Sequence, residues 1–483
     1  MHVLHVSTEC YPVAKVGGLG DVVGALPKFQ GASGIQASVI IPKYDTPQVR
    51  YYSSELNHSG KIDLAGRTVD YQVFRLVDDA LAFALYVVDL PGLFDRPGIY
   101  LDTATGYPYG DEFHRYLSFQ LAVLDWIQSR PEQPDILHCH DHHTGWIPFF
   151  MTSCDDFADL ARIPTMFTIH NGMYQGIYPW EHHRYLPAFT WDKVGLLDWD
   201  GNLNAMATAL KCCWVYNTVS KQYLTELSHY CMGLEPLFQL EHLKGMGILN
   251  GIDTQLWDPK TDPFINHHYT KTSVDKKRAG NREDLLNKFY LDPKLPIISF
   301  IGRLVPEKGA DLVAELVSLL MVKDLQVNIL VLGTGDPALQ RRFLQLKEIM
   351  PGRFDCSLEY NESLSHLLYA GSDFLLMPSK VEPCGLNQLY AMRYGAIPIV
   401  RTTGGLKDTV VDIDEKGGYG ICFEEYEVQH LMAAVKRAKA LYDQPNTYQA
   451  LQKKVMGLNF SWDRSAATYA QVYHDLLGRG SDQ

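Results

Sequence analysis

Short apolar runs that end at a glycine or a polar loop, each followed by a stretch with helical spacing, recur through both halves of this 483-residue chain. In the first half they are Val3–Ser7, Ala37–Pro42, Leu81–Val88, Asp135–His140 and Thr165–Ile169. In the second they are Ile297–Ile301, Val327–Leu332, Phe374–Met377 and Ile397–Val400, with apolar residues at three- and four-residue steps between them, as in Asp311–Met321. Such alternation is the pattern of parallel sheets covered by helices. The chain is too long for one core. It breaks near Lys244-Gly245-Met246-Gly247, and a polar lead-in runs from Asp258 to about Asn287. The expectation is two α/β domains, residues 1–247 and 248–461, joined by a glycine-containing hinge. Ligands bind such sheets at the carboxyl ends of the strands, and two sheets facing each other make a cleft that can close and exclude water.

Composition removes several function classes. A net charge of −13 argues against nucleic acid as the main partner. No apolar run is long enough to span a bilayer, and strand and loop already occupy the first fifteen residues where a signal peptide would lie. Nine cysteines without a CxxC pair fit a reducing cytoplasm. The basic cluster Lys276-Lys277-Arg278 with Arg282 reads as a solvated surface or a helix start. No feature assigns an oligomeric state.

The chemistry gathers just after the strands. Ala14-Lys15-Val16-Gly17-Gly18-Leu19-Gly20-Asp21 follows the first strand and opens a helix through Leu26. Glycines there let backbone N–H groups approach a phosphate, which the helix N-terminus favours, and Lys15 adds a full charge. The loop is neither a dinucleotide GxGxxG nor a Walker loop, so alone it could equally be a tight turn. Gly302-Arg303-Leu304 with Lys308 places two cations beyond one strand end, where they could neutralise a departing diphosphate. Gly333-Thr334-Gly335 repeats the strand-then-glycine arrangement. In Glu382-Pro383-Cys384-Gly385-Leu386 one carboxylate precedes a helix expected from Gly385 to about Tyr394, with amides near Cys384–Leu386 facing an anion. Arg401-Thr402-Thr403-Gly404-Gly405 is a further glycine loop.

His138, His140, His142 and His143 crowd around Asp141, but side chains at a strand end alternate between faces, so these histidines are not expected to converge on a metal. Asp141 is expected to line the ligand wall instead. Asp198-Trp199-Asp200 has the look of a metal-binding DxD, but it follows no clear strand and reads as an exposed loop. Thr168-Ile169-His170-Asn171-Gly172 ends a strand with polar residues, which suits a ligand contact.

Together these motifs resemble bacterial glycogen synthases and plant starch synthases, glycosyltransferase family 5, from Val3 to about Trp462. Phe94-Asp95-Arg96-Pro97-Gly98 and Leu249-Asn250-Gly251-Ile252-Asp253 belong to the match. The resemblance implies a GT-B fold, two Rossmann-like domains with the site between them, and a C-terminal segment (462–483) whose helix crosses back to the first domain. It implies transfer of glucose from ADP-glucose to the non-reducing 4-hydroxyl of an α-1,4-glucan, with retention and without a metal or other cofactor. Carried over by motif, His170, Arg303, Lys308 and Glu382 are the catalytic set. Lys15, Gly17, Gly18, Asp21, Tyr100, Asp141, Asn171, Asn250, Gly335, Cys384, Gly385 and Leu386 are expected to contact substrate. Two positions depart from the family pattern, Val16 and Asn387, each where threonine is usual. Asn387 could still hydrogen-bond a phosphate. Tyr390 stands where related retaining families carry a second glutamate, which argues against a sucrose- or mannose-type relative. Competing readings are a UDP-glucose-dependent synthase and a non-catalytic glucan-binding relative.

Overall fold

The computed structural model describes residues 1–320 and 322–480, which form two compact units. Met321, the end of one expected helical stretch, and residues 481–483 lie outside the described residues. The first unit comprises Met1–Val219, Leu224–Leu249 and the segment from Trp462. Its nine-stranded sheet runs, in space, Gly245–Gly247, Val215–Thr218, Thr165–Ile169, Ile136–His140, His2–Val6, Gln36–Pro42 and Ala84–Asp89, all parallel. An antiparallel hairpin, Arg67–Val77 and Ser53–Leu64, extends the edge. The inner strands are buried on both faces, which is why they read as continuous apolar runs.

Four features differ from the sequence expectation, each for a physical reason. The hairpin escaped notice because its strands are mostly exposed and a bulge between Leu56 and His58 breaks their alternation. Its turn is made by Ala65 (φ 53°) and Gly66 (φ 84°), the left-handed pair a two-residue hairpin needs. Gly245–Gly247 is an edge strand rather than a hinge: a Cβ on Gly245 would lie 2.5 Å from the Tyr216 hydroxyl, so packing demands glycine. Asp198–Trp199 forms a small antiparallel hairpin with Asn202–Asn204, turning at Asp200 and Gly201. Arg278 is no surface cation: it is buried in the helix Val274–Phe289 and donates to the carbonyls of Tyr394, Tyr369 and Ser372.

The first helix runs past Leu26 to Ala32, with Pro27 inside it. Pro27 cannot donate to the Val23 carbonyl, and the Cys10 thiol fills that vacancy at 3.7 Å. The helix Trp462–Gly480 packs on this unit's sheet. Trp462, Ala466, Tyr469, Tyr473 and Leu476 share a core with Val3, Val22, Leu26 and Ile136.

The second unit, Ser220–Tyr223 and Asn250–Ser461, holds a six-stranded parallel sheet. In space the strands run Phe354–Ser357, Asn328–Leu332, Ile297–Ile301, Phe374–Met377, Ile397–Arg401 and Ile421–Phe423. Numbered along the chain this is the order 3-2-1-4-5-6, which reverses between Ile297–Ile301 and Phe374–Met377. In the first unit the corresponding reversal falls between His2–Val6 and Ile136–His140. Among the described residues no helix is long and apolar enough to cross a membrane.

Candidate active site

In the second unit the chemistry sits at the point of strand reversal. The loops after Ile297–Ile301 and Phe374–Met377 lie side by side there, and they bring Lys308 Nζ to 2.9 Å from Glu382 Oε1. Ser379 donates to the other carboxylate oxygen at 2.9 Å. Glu382 is 8% exposed, so its charge is held by one cation and one hydroxyl rather than by water. Glycine builds this loop: a Cβ on Gly404 would fall 2.0 Å from the Glu382 carbonyl, and one on Gly405 2.0 Å from the Cys384 carbonyl.

Arg303 behaves oppositely. Its side chain is 58% exposed, and its ion-pair contact, to Glu307, is 3.5 Å long. Behind it, Gly335 lets one loop pass over another, because a Cβ there would lie 2.5 Å from the Leu304 carbonyl. The Cys384 thiol is buried and pushed up to about 12 by that burial. It receives the Asn250 backbone N–H, while Asn250 Oδ1 is buried without a partner. Gly385 is left-handed (φ 72°), and the following helix starts at Asn387, after Leu386 rather than at Gly385. Asn387 has a partner within the fold: its Nδ2 donates to the Ile301 carbonyl at 2.7 Å, fastening the helix to the first strand.

In the first unit the loop after His2–Val6 holds a residue that motif reading missed. Glu9 is 3% exposed, and its Oε2 accepts the backbone N–H groups of Val16 (2.5 Å) and Gly17 (2.9 Å). Tyr100 donates to Oε1 at 2.7 Å. Burial raises the Glu9 carboxyl above its ordinary range, against the pull of these donors. Two N–H groups expected to face a phosphate are thus engaged by a carboxylate of the chain. The available signal was an acid two residues beyond a strand end. Gly17 and Gly18 nonetheless open onto space, with nothing within 4 Å of a Cβ at either. Gly17 is extended, so neither backbone strain nor packing explains these two glycines. Lys15 pairs with Asp21 at 2.6 Å.

Asp141 has φ 56°, a strained value for a non-glycine residue. Its Oδ1 accepts the His170 N–H at 2.7 Å, and the Asn171 N–H also reaches the carboxylate. Burial lifts Asp141 to about 7. The Asn171 side chain closes a turn by accepting the Met173 N–H. Contrary to expectation, histidines do converge. His138 and His140 are two apart on one strand, hence on one face, and their rings stack at 4.2 Å with His5 beside them. The nitrogens of His5, His138 and His140 lie within 4.8 Å of one another, as do ligand atoms of Glu112, His142 and His143. The first trio already spends its nitrogens on hydrogen bonds within the fold.

Against known proteins, residues 2–240 match the starch synthase catalytic domain, and residues 281–455 match the glycosyl transferases group 1 domain. The chain is 42% identical to a glycogen synthase of Flavobacterium johnsoniae, over 99% of both sequences. It belongs to the glycogen and starch synthase family. A glycogen synthase of Lactobacillus acidophilus is 36% identical over 99% of this chain and 100% of its own. The catalytic domain of starch synthase IV from Arabidopsis thaliana, solved with ADP and acarbose, superposes with a TM-score of 0.86 at 29% identity, covering 99% of each chain. A sucrose-phosphate synthase from Thermosynechococcus elongatus (TM-score 0.62, 16% identity, 99% of each chain) shares the fold. This glycogen/starch synthase relative is thus a GT-B glycosyltransferase, an enzyme of the α-glucan-building class.

Proposed function

We propose that the enzyme transfers glucose from ADP-glucose to the non-reducing 4-hydroxyl of an α-1,4-glucan, with retention at the anomeric carbon. The observation that carries this reading is the Lys308–Glu382–Ser379 cluster at the strand reversal, with the exposed Arg303 beside it. Departure of a nucleoside diphosphate needs fixed positive charge where negative charge grows. Arg303 and Lys308 supply it, with Lys15 as a third cation, so the reaction calls for no divalent ion or other cofactor. Glu382, held by Lys308 and Ser379, orients glucose hydroxyls and faces the positive charge developing on the sugar. The unpartnered Asn250 Oδ1 accepts a donor hydroxyl or an ordered water. On the first unit, the His170 carbonyl, the open space at Gly17 and Gly18, and Asp21, Tyr100, Asp141 and Asn171 are the candidate substrate contacts.

Glu382, the carboxylate of this cluster, is engaged by a lysine and a serine. Attack on the same face within a short-lived ion pair therefore fits better than a double displacement. The nine cysteines are all free, which fits a reducing cytoplasm.

Glucose incorporation into glycogen, with ADP-glucose and UDP-glucose offered separately at matched concentrations, tests the reading. Strong preference for ADP-glucose is expected, with activity unchanged by a chelator. Preference for UDP-glucose overturns the donor, and glycogen binding without turnover on either donor overturns the enzyme.

A further inference from the structure

Beneath His170 runs an unbroken line of buried hydrogen bonds whose direction can be worked out from one end. Asn217 Nδ2 lies 3.4 Å from the Thr218 carbonyl, which can only accept, so its other atom, Oδ1, is the acceptor. Thr168 Oγ1 donates to that oxygen at 2.6 Å and must take its own hydrogen bond from His138 Nε2, also at 2.6 Å. His138 Nδ1 is then a bare lone pair, and the Tyr473 hydroxyl donates to it at 2.8 Å. Tyr473 accepts from Gln30 Nε2 at 2.9 Å, which turns Gln30 Oε1 toward His5 Nε2–H at 2.8 Å. His5 Nδ1 accepts from His140 Nε2 at 3.0 Å, and His140 Nδ1 accepts from His170 Nε2 at 3.0 Å. Reversing any single step would set two donors or two acceptors face to face.

We propose that this ladder, closed by Gln30 and by Tyr473 of the C-terminal helix, is a positioning device that fixes His170 as its Nε2–H tautomer. His170 Nδ1 is thereby left able only to accept, which selects a hydroxyl hydrogen over a phosphate oxygen as its ligand. The assignment of that hydroxyl to a sugar rests on the glucosyl-transfer reading, whereas the tautomer does not. Burial agrees with a neutral ladder: it lowers His5 to about 4 and His170 to about 3, and holds His138 and His140 well below the ordinary range. His5, Gln30, His138, His140, Thr168, Asn217, Tyr469 and Tyr473 are all fully buried, so no water competes for these bonds. The ladder also gives the C-terminal helix a role beyond packing, since Tyr473 joins the His138 branch to the His5 branch.

The test is ring-nitrogen NMR on protein labelled with ¹⁵N-histidine, with His170→Gln used to pick the His170 signals from those of the 18 histidines. Unmodified protein is expected to show His170 as Nε2–H alone. Tyr473→Phe keeps the ring but frees Gln30 to flip, so His170 should show both tautomers. Donor KM should then rise as the Nε2–H fraction falls, about twofold if the forms are equal, at unchanged kcat. Tyr469→Phe, one turn away on the same helix, leaves Asn217 fixed by Thr218 and should match the unmodified protein in both readouts. An Nδ1–H pattern at His170 in unmodified protein overturns the proposal, as does a single unchanged tautomer in Tyr473→Phe. If neither sugar nucleotide is turned over, the glucosyl-transfer reading fails while the NMR result still decides the ladder.

Discussion

Arg303→Ala separates chemistry from architecture better than any other single change. The guanidinium is 58% exposed and reaches Glu307 at 3.5 Å. An exposed, long ion pair of this kind contributes about 0–1 kcal/mol, and removing it leaves no buried charge behind, since Glu307 keeps access to water at 31% exposure. The unfolding free energy should therefore change by no more than about 0.5 kcal/mol. The chemical effect is of another size. Deleting one preorganised donor to a developing negative charge typically costs 10²–10³ in turnover, about 2.7–4 kcal/mol of barrier. The assay pairs glucose incorporation into glycogen from saturating ADP-glucose with the urea midpoint of the same preparation. Activity within about threefold of the unmodified enzyme would refute the assignment of Arg303 to the leaving diphosphate. A stability loss above about 1 kcal/mol would refute the reasoning from exposure instead.

Other consequences follow from the same geometry. Glu382→Ala should lower turnover by orders of magnitude while glycogen binding, measured by affinity electrophoresis, persists; equal loss of both would make the residue structural. Gly18→Ala enters open space and should leave the melting temperature unchanged while raising donor KM, so a folding defect would remove the argument for ligand approach. Gly404→Ala meets the Glu382 carbonyl at 2.0 Å from a φ of 45° and should destabilise by more than about 1 kcal/mol, read by the urea midpoint. The pH dependence of stability has a worked sign. His5, His138, His140, His143 and His170 are depressed by burial, so the unfolded chain binds more protons below about 6.5 and stability is lost as pH falls from there. Asp141, raised to about 7, works against this by losing stability as pH rises from about 4 to 7. A urea midpoint that does not fall between pH 6.5 and 4.5 would contradict the histidine assignment.

What the sequence disclosed and what it hid divide along a physical line. Strands buried on both faces were legible because nothing but apolar residues suits them, and Thr165–Ile169, Ile297–Ile301 and Phe374–Met377 occupy the spans read from the sequence. The exposed hairpin Ser53–Val77 and the short edge strands carry no such constraint and stayed invisible. At the site, residues on loops directly after strands were named because few roles suit a charge there. Glu9 was passed over because no motif surrounds it, and its purpose depends on Val16, Gly17 and Tyr100, which only the fold brings to it. The partner of Asn387 was hidden for the same reason, because only the fold brings the Ile301 carbonyl to its Nδ2.

The two units solve one problem in different ways. Each places charged groups at the reversal of its sheet, where two loops diverge and leave room for a ligand. In the second unit the anion of the chain, Glu382, is matched by a cation, Lys308, so the cluster is near neutral, and Arg303, exposed and in a long 3.5 Å contact with Glu307, is its loosely held cation. In the first unit the carboxylate of Glu9 is satisfied by backbone N–H groups and a tyrosine, and Lys15 by Asp21. A diphosphate gains little beside a loop whose N–H groups already hold an anion, and more beside an exposed, loosely paired arginine. On this balance of charge the leaving nucleotide is expected chiefly at Arg303. If that is right, Lys15→Ala should cost less in turnover than Arg303→Ala under the same saturating donor, and the reverse order would return the phosphate to the glycine loop.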